Sequence, residues 1–301
     1  MNERVFRHIK ERQPVGEEKR LLDRAARLEV VRTCLLSSIE AAYYLGWRDV
    51  VNPEGKPKTV LYSHMGPDIV TPLLATDATE IIGVDPTVWN DDEIEGVNNL
   101  SWRDHQMPQS FIELRRNKGF YAAPDNRQRA LMVCNELVRL GAAPEDVCAA
   151  RMNEDGVEIV FSYGGKKRRI VYYEESWDFF QKDRDIPFDI FYQKASMGSN
   201  ALDDPNGDTG RHYILSHLRS EGYVMQSSGR VPMLYDNVVE RHAWARSFVR
   251  TAGASGLEAV RAPLACNRLI QRMRARDGFD ASVWSSVLYG TYLKVAQKKS
   301  A

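Results

Sequence analysis

Apolar positions follow two periodicities along the chain, and the change from one to the other organises it. Between residues 17 and 46, Leu21, Leu22, Ala25, Leu28, Val31, Leu35, Ile39, Ala42 and Tyr43 recur at steps of three and four, with Gly46 near the end. That spacing puts them on one helical face and predicts one long amphipathic helix or two. VNPEGKPK, residues 51–58, then supplies two prolines, a glycine and two lysines. Such punctuation marks the best candidate boundary, between a helical segment of residues 1–56 and a second unit of residues 57–301.

Beyond it the apolar runs are short. TVLYS (59–63) and EIIGVD (80–85) read as strands with a short helix, DIVTPLLA (68–75), between them, which is a β-α-β unit. FDIFYQ (188–193) reads as a further strand, followed by a polar loop, a helix around residues 211–220 and a strand at GYVMQ (222–226). Residues 126–140 have strong helical periodicity. Residues 157–163 and 169–173 flank GGKK and predict an antiparallel hairpin, an insertion in the domain. VLYGTYLKVA (287–296) alternates as a strand does, just before a charged tail. Alternating strands and helices predict an α/β fold with a mostly parallel sheet covered on both faces.

Charge changes this picture little. The 301 residues carry 41 Lys+Arg against 41 Asp+Glu, a balance that excludes bulk coating of nucleic acid or anionic membrane as the main task. Residues 229–301 hold 12 Lys+Arg against 5 Asp+Glu, with Arg268, Arg272 and Arg276 four apart on one helical face. That stripe reads as a solvated face or a phosphate contact, and without interleaved aromatics nucleic acid is not the expected partner. Four cysteines, Cys34, Cys134, Cys148 and Cys266, form no C-x-x-C pair, so they suit free thiols in a reducing cytoplasm. No apolar run reaches the roughly 18 residues that span a bilayer, and the charged N-terminus lacks a secretory apolar stretch. A cytoplasmic protein is expected, with no metal site, since no histidine pair has helical ligand spacing.

Ligands of open α/β sheets bind beyond the carboxyl ends of the strands. The first such turn here is Ser63-His64-Met65-Gly66-Pro67-Asp68, and Asp85 ends the second strand nineteen residues after Gly66. A carboxylate at that spacing can accept both hydroxyls of a ribose, or can cap the turn begun by Pro86. Asp68 reads as a cap of the following helix. His64 can transfer a proton at neutral pH or hydrogen-bond its own loop. Lys194, directly after the strand at 188–193, can act as a base, anchor a carboxylate or stand solvated at the strand end. The acidic loop around Asp203, Asp204 and Asp208 does not have EF-hand spacing. The aromatics of VYYEESWDFF (171–180), with Trp89 and Trp102, read as core or as the lining of an acceptor pocket.

TVLYSHMGPDIVTPLLATDATEIIGVD resembles the first motif of the class I S-adenosylmethionine-dependent methyltransferases: apolar strand, D/E-x-G-x-G-x-G turn, helix, strand and terminal acid. Gly66 matches the second glycine, while Tyr62, His64 and Asp68 stand where the acid and the first and third glycines would be. The runs at 188–194, 222–226 and 287–296 resemble that family's fourth, fifth and closing antiparallel strands, so the likeness covers roughly residues 57–301. It implies a Rossmann-like methyltransferase sheet, mostly parallel with an antiparallel closing strand and preceded by an N-terminal helical segment. It also implies S-adenosylmethionine as cofactor, held by Tyr62, Ser63, His64, Gly66, Asp68, Asp85 and Pro86, with Lys194 and His64 as catalytic candidates and a small-molecule acceptor. The N-terminal helices would then be a lid or a homodimer interface. A binding or scaffold protein without catalysis, or another transfer reaction using the same cofactor, is the alternative, because side chains replace two glycines of the turn.

Overall fold

The computed structural model describes residues 13–33, 36–63, 65, 69–84, 126–142, 149–153, 156–173, 175, 177–193, 208–227, 249–250, 252–277 and 293–299. The chain runs α1 (Gly16–Ala25), α2 (Glu29–Arg32), α3 (Ser38–Val51), β1 (Thr59–Ser63), α4 (Val70–Thr76), β2 (Glu80–Val84), α5 (Asn126–Leu140), β3 (Ala149–Asn153), β4 (Gly156–Tyr163), β5 (Lys166–Tyr173), α6 (Trp177–Asp183), β6 (Phe188–Gln193), α7 (Asp208–His217), β7 (Leu218–Ser227), β8 (Leu257–Ala259), α8 (Leu264–Asp277) and β9 (Leu293–Lys298).

The strands make a single sheet in the order β3-β4-β5-β2-β1-β6-β7-β9-β8. Its centre, β5-β2-β1-β6-β7, is parallel throughout. β9 lies antiparallel between β7 and β8, as expected of the closing strand, although it occupies 293–298 rather than 287–296. Residues 287–292 lie outside the described part. The hairpin of β4 and β5 is present, turning at Gly164 and Gly165. It is more than an insertion: β5 is also the parallel neighbour of β2, with Ile81 opposite Ile170 and Ile82 opposite Val171.

Central strands covered on both faces need apolar side chains at nearly every position, which explains the continuous runs TVLYS, EIIGV and FDIFYQ. Alternate residues go to opposite faces. Tyr62, Tyr192 and Met225 join the larger core, formed with α1, α3, α4, α5 and α8. Leu61, Ile82, Phe191 and Val224 join the smaller one, which contains Phe180 of α6 and Tyr213 and Ile214 of α7. Of the aromatics of 171–180, Tyr172 and Phe180 are core, with Tyr173 and Trp177 packed against it, whereas Phe179 is exposed; Trp177 stacks on Phe180 at 5.8 Å, and Tyr173 meets Phe180 edge-on at 5.6 Å.

The N-terminal periodicity becomes three helices. α3 starts in a capping box, Ser37 Oγ accepting from Glu40 N while Glu40 Oε2 accepts from Ser37 N. Gly46 falls inside α3 and does not end it; a Cβ there would lie 2.5 Å from Cys266 Sγ, so glycine lets α8 approach. Burial pushes the Cys266 thiol up to about 12, leaving it un-ionised at neutral pH. Tyr43 and Trp47 are fully buried in the larger core. The Tyr43 hydroxyl accepts from Leu293 N at 3.0 Å, tying α3 to the start of β9. Arg272 donates to the buried carboxylate of Glu18, tying α8 to α1. The centre of the predicted basic stripe is therefore an ion pair inside the molecule. Residues 51–58 form a connection between helices and strands that share one core.

Candidate active site

The parallel strands reverse their direction of progression between β1 and β6: the sheet grows from β1 to β2 and β5 on one side, and from β6 to β7 on the other. At such a switch point the helices that follow the two strands lie on opposite faces, and a crevice opens at the carboxyl ends. The residues that end these two strands are Ser63 and Gln193, register partners of each other. Gln193 is in turn opposite Gln226 of β7, and Gln226 is opposite Lys294 of β9.

A row of four polar residues thus crosses the sheet one position beyond its apolar core, and all four are buried. Gln226 Nε2 donates to Gln193 Oε1 at 3.0 Å. Ser63 Oγ and Gln226 Oε1, both enclosed, have no hydrogen-bond partner among the described residues. An unsatisfied buried polar atom costs about 1–3 kcal/mol, and these two share one row at the carboxyl edge of the sheet, while the described residues hold others elsewhere, at Trp47 Nε1, Gln181 Oε1, Tyr213 and Ser255. Ser63→Ala is accordingly expected to leave thermal stability unchanged or raise it by up to about 1 kcal/mol while weakening ligand binding at this edge. A thermal melt alongside a ligand titration checks both, and a destabilised variant with intact binding would contradict the assignment.

The residue after this row also has a defined course. Met65 N donates to Val84 O at 3.3 Å, so the chain leaving β1 bends across the carboxyl end of β2. Gly83 makes room for it: a Cβ on Gly83 would meet Met65 Sδ, and Met65 itself is buried. Met65 therefore sits against the end of β2. Tyr62 points the other way, into the larger core, its ring 4.9 Å from that of Tyr192 and nearly perpendicular to it. The Tyr192 hydroxyl lies 3.2 Å from Thr71 Oγ1, joining β6 to α4.

Five parallel strands progressing outward from a central switch point, an antiparallel strand, β9, between β7 and β8, and polar strand ends at the switch decide the architecture. The sheet is Rossmann-like: mostly parallel, with an antiparallel strand near one edge, as the sequence resemblance implies. By that resemblance β1 carries the first motif, β2 is the strand that precedes the acid, and β9 is the closing antiparallel strand. Of the residues expected at the cofactor, Tyr62 is in the core and Ser63 in the polar row. His64, Gly66, Asp68, Asp85, Pro86 and Lys194 lie outside the described residues. Gln193 and Gln226 were not singled out from the sequence, although FDIFYQ and GYVMQ each end an apolar run on a glutamine, as TVLYS ends on a serine.

No family model and no curated protein matches the chain. Among solved structures it is similar to the N-methyltransferase NodS from Bradyrhizobium japonicum, at 11% identity over 88% of this chain and 98% of that one, with a TM-score of 0.40. It is also similar to a geranyl diphosphate methyltransferase in complex with S-adenosylmethionine, at 12% identity over 97% of this chain and 94% of that one, TM-score 0.40. These likenesses are distant, and strand order and register carry the fold assignment. Among the described residues no group of His, Cys, Asp or Glu has metal-binding geometry, and no helix is long and apolar enough to cross a membrane.

Proposed function

We propose that the chain is an S-adenosylmethionine-dependent methyltransferase with a small-molecule acceptor. The observation that supports this most is the buried pair Ser63–Gln193 at the switch point, with the Ser63 hydroxyl unpartnered where a ligand would lie. A neutral hydroxyl and amide suit the polar groups of a nucleoside and its amino-acid tail, so the residues present fit the cofactor. Bound there, the cofactor supplies an activated methyl group on a sulfonium centre. Asp85, the residue after β2, would hold the ribose hydroxyls, and His64, Gly66, Asp68 and Pro86 would supply the remaining contacts. Lys194, the residue after Gln193, takes a proton from the acceptor or anchors it, and His64 is the second candidate for proton transfer. Most of the rate comes from holding two ligands in line, with water excluded.

In the presence of S-adenosylmethionine and a small-metabolite extract, the protein is expected to release S-adenosylhomocysteine, detected by mass spectrometry. Asp85→Ala should weaken cofactor binding about 10- to 100-fold, the worth of hydrogen bonds to a charged group. Lys194→Ala should lower turnover about 100-fold or more with cofactor affinity nearly unchanged. Unaltered affinity in the first variant removes Asp85 from the site, and unaltered turnover in the second removes Lys194 from the reaction.

A binding protein of the same fold without methyl transfer is the second reading. It draws on Met65, whose side chain closes over Gly83 between β1 and β2, and it predicts ligand binding without S-adenosylhomocysteine release.

A further inference from the structure

At the opposite, amino-terminal edge of the sheet, one carboxylate meets three cations. Asp77 ends α4 in the left-handed region at φ 55°, and its side chain is almost fully enclosed. Oδ2 accepts from Arg48 at 2.9 Å and from Lys166 at 2.6 Å, and Oδ1 accepts from Arg168 at 2.6 Å. Arg168 is itself buried, donates to the carbonyls of Tyr163 and Ala78, and lies 5.4 Å from the centre of the Tyr163 ring. Lys166 also donates to Gly55 O at 2.7 Å. Gly55 has φ 62°, and a Cβ on it would stand 3.2 Å from Lys166 Nζ, so glycine allows the loop this approach.

Three cations on one anion leave two positive charges in excess. Arg168 cannot present them, because it is enclosed and each of its three nitrogens already donates within the protein. Arg48 and Lys166 can: their side chains are 33% and 31% exposed. Nη2 is the only donor of Arg48 used among the described residues. The nearest acid on the adjoining loop, Glu54, is paired with Lys56 at 2.6 Å and does not neutralise the cluster. Charges held this close without matching counter-charge attract a compact anion, and the guanidinium fork matches phosphate oxygens in geometry as well as in charge.

We propose that Arg48 and Lys166, backed by Arg168 and bordered by Tyr163, bind a phosphate group, either free phosphate or a phosphomonoester. This site lies roughly 20 Å from the Ser63 row, because Lys166 is seven residues before Tyr173, which the register aligns with Val84 and so with Ser63, and it does not depend on the function proposed above. A dianion there balances the excess of two charges and links α3 to the β4–β5 hairpin.

The test is thermal unfolding and calorimetric titration of the full chain with inorganic phosphate and with glycerol 3-phosphate, against sodium chloride at matched ionic strength. Phosphate is expected to raise the melting temperature saturably where chloride does not. Arg48→Gln and Lys166→Gln should each weaken phosphate binding about tenfold or more. The quantity read is the phosphate-dependent increment, so a general loss of stability in a variant does not imitate the effect. Tighter binding of glycerol 3-phosphate identifies an esterified ligand, and tighter binding of inorganic phosphate a free one. Equal effects of phosphate and chloride, or wild-type phosphate affinity in both variants, would overturn the proposal.

Discussion

Asp77→Asn is expected to destabilise the protein by about 3–5 kcal/mol, because it removes the counter-charge of a buried arginine while leaving the arginine in place. Asparagine suits the test, since it tolerates the left-handed backbone of residue 77 as aspartate does, so the charge alone changes. Burial acts to raise the Asp77 carboxyl, but the hydrogen bonds from Lys166 and Arg168 and the charges of Arg48 and Arg168 outweigh it and hold it below the usual carboxylate range. A carboxyl depressed in the folded state contributes stability that is fully present above its unfolded value, near 3.9. That stability is lost as the pH falls through the lower, folded value. Denaturant unfolding at pH 7 should therefore separate wild type from Asp77→Asn widely, and the gap should close progressively below about pH 4. A difference under about 0.5 kcal/mol at pH 7, the size of an ordinary surface change, would show that the three cations do not need this carboxylate.

Removal of residues 1–52 is expected to abolish cooperative folding. Leu21, Tyr43, Tyr44, Leu45, Trp47 and Val51 are each at most 2% exposed, and burying a large apolar side chain contributes about 1.5–3 kcal/mol. Six of them together are worth about 10 kcal/mol or more, comparable with the whole stability of a domain, about 5–15 kcal/mol. The deletion also takes Tyr43 from the Leu293 amide and Glu18 from Arg272. A lid or a dimerisation arm would behave otherwise, because its loss leaves the remaining core intact. Circular dichroism melts of residues 53–301 distinguish the two: a sigmoidal transition near that of the full chain would make the helices an appendage, and its absence makes them part of the core.

What the sequence made legible follows from how local each signal is. The β1-α4-β2 unit and β6 could be read because parallel central strands are uniformly apolar and are bounded by turns. The hairpin of β4 and β5 was readable through its glycine turn, but the parallel pairing of β5 with β2 was not. In KKRRIVYY only alternate positions are buried, and the partner strand is more than eighty residues away, so nothing local encodes the pairing. The same applies to Asp77, which looks like any acid in a polar turn until Arg48, Lys166 and Arg168 converge on it from two other elements. Arg272 looked like part of a surface stripe because Glu18, its partner, is at the other end of the chain. Ser63, Gln193 and Gln226 carried a readable signal, a polar residue ending each of three apolar runs, whose meaning depends on the register that aligns them.

Calorimetric titration of the full-length protein with S-adenosylmethionine addresses the proposed function most directly. Saturable binding is expected with a dissociation constant below about 1 mM, the upper end of working enzyme affinities, and Ser63→Ala should weaken it. Absence of binding heat up to that concentration would contradict a cofactor site at the β1–β6 switch point, and the proposed methyl transfer with it.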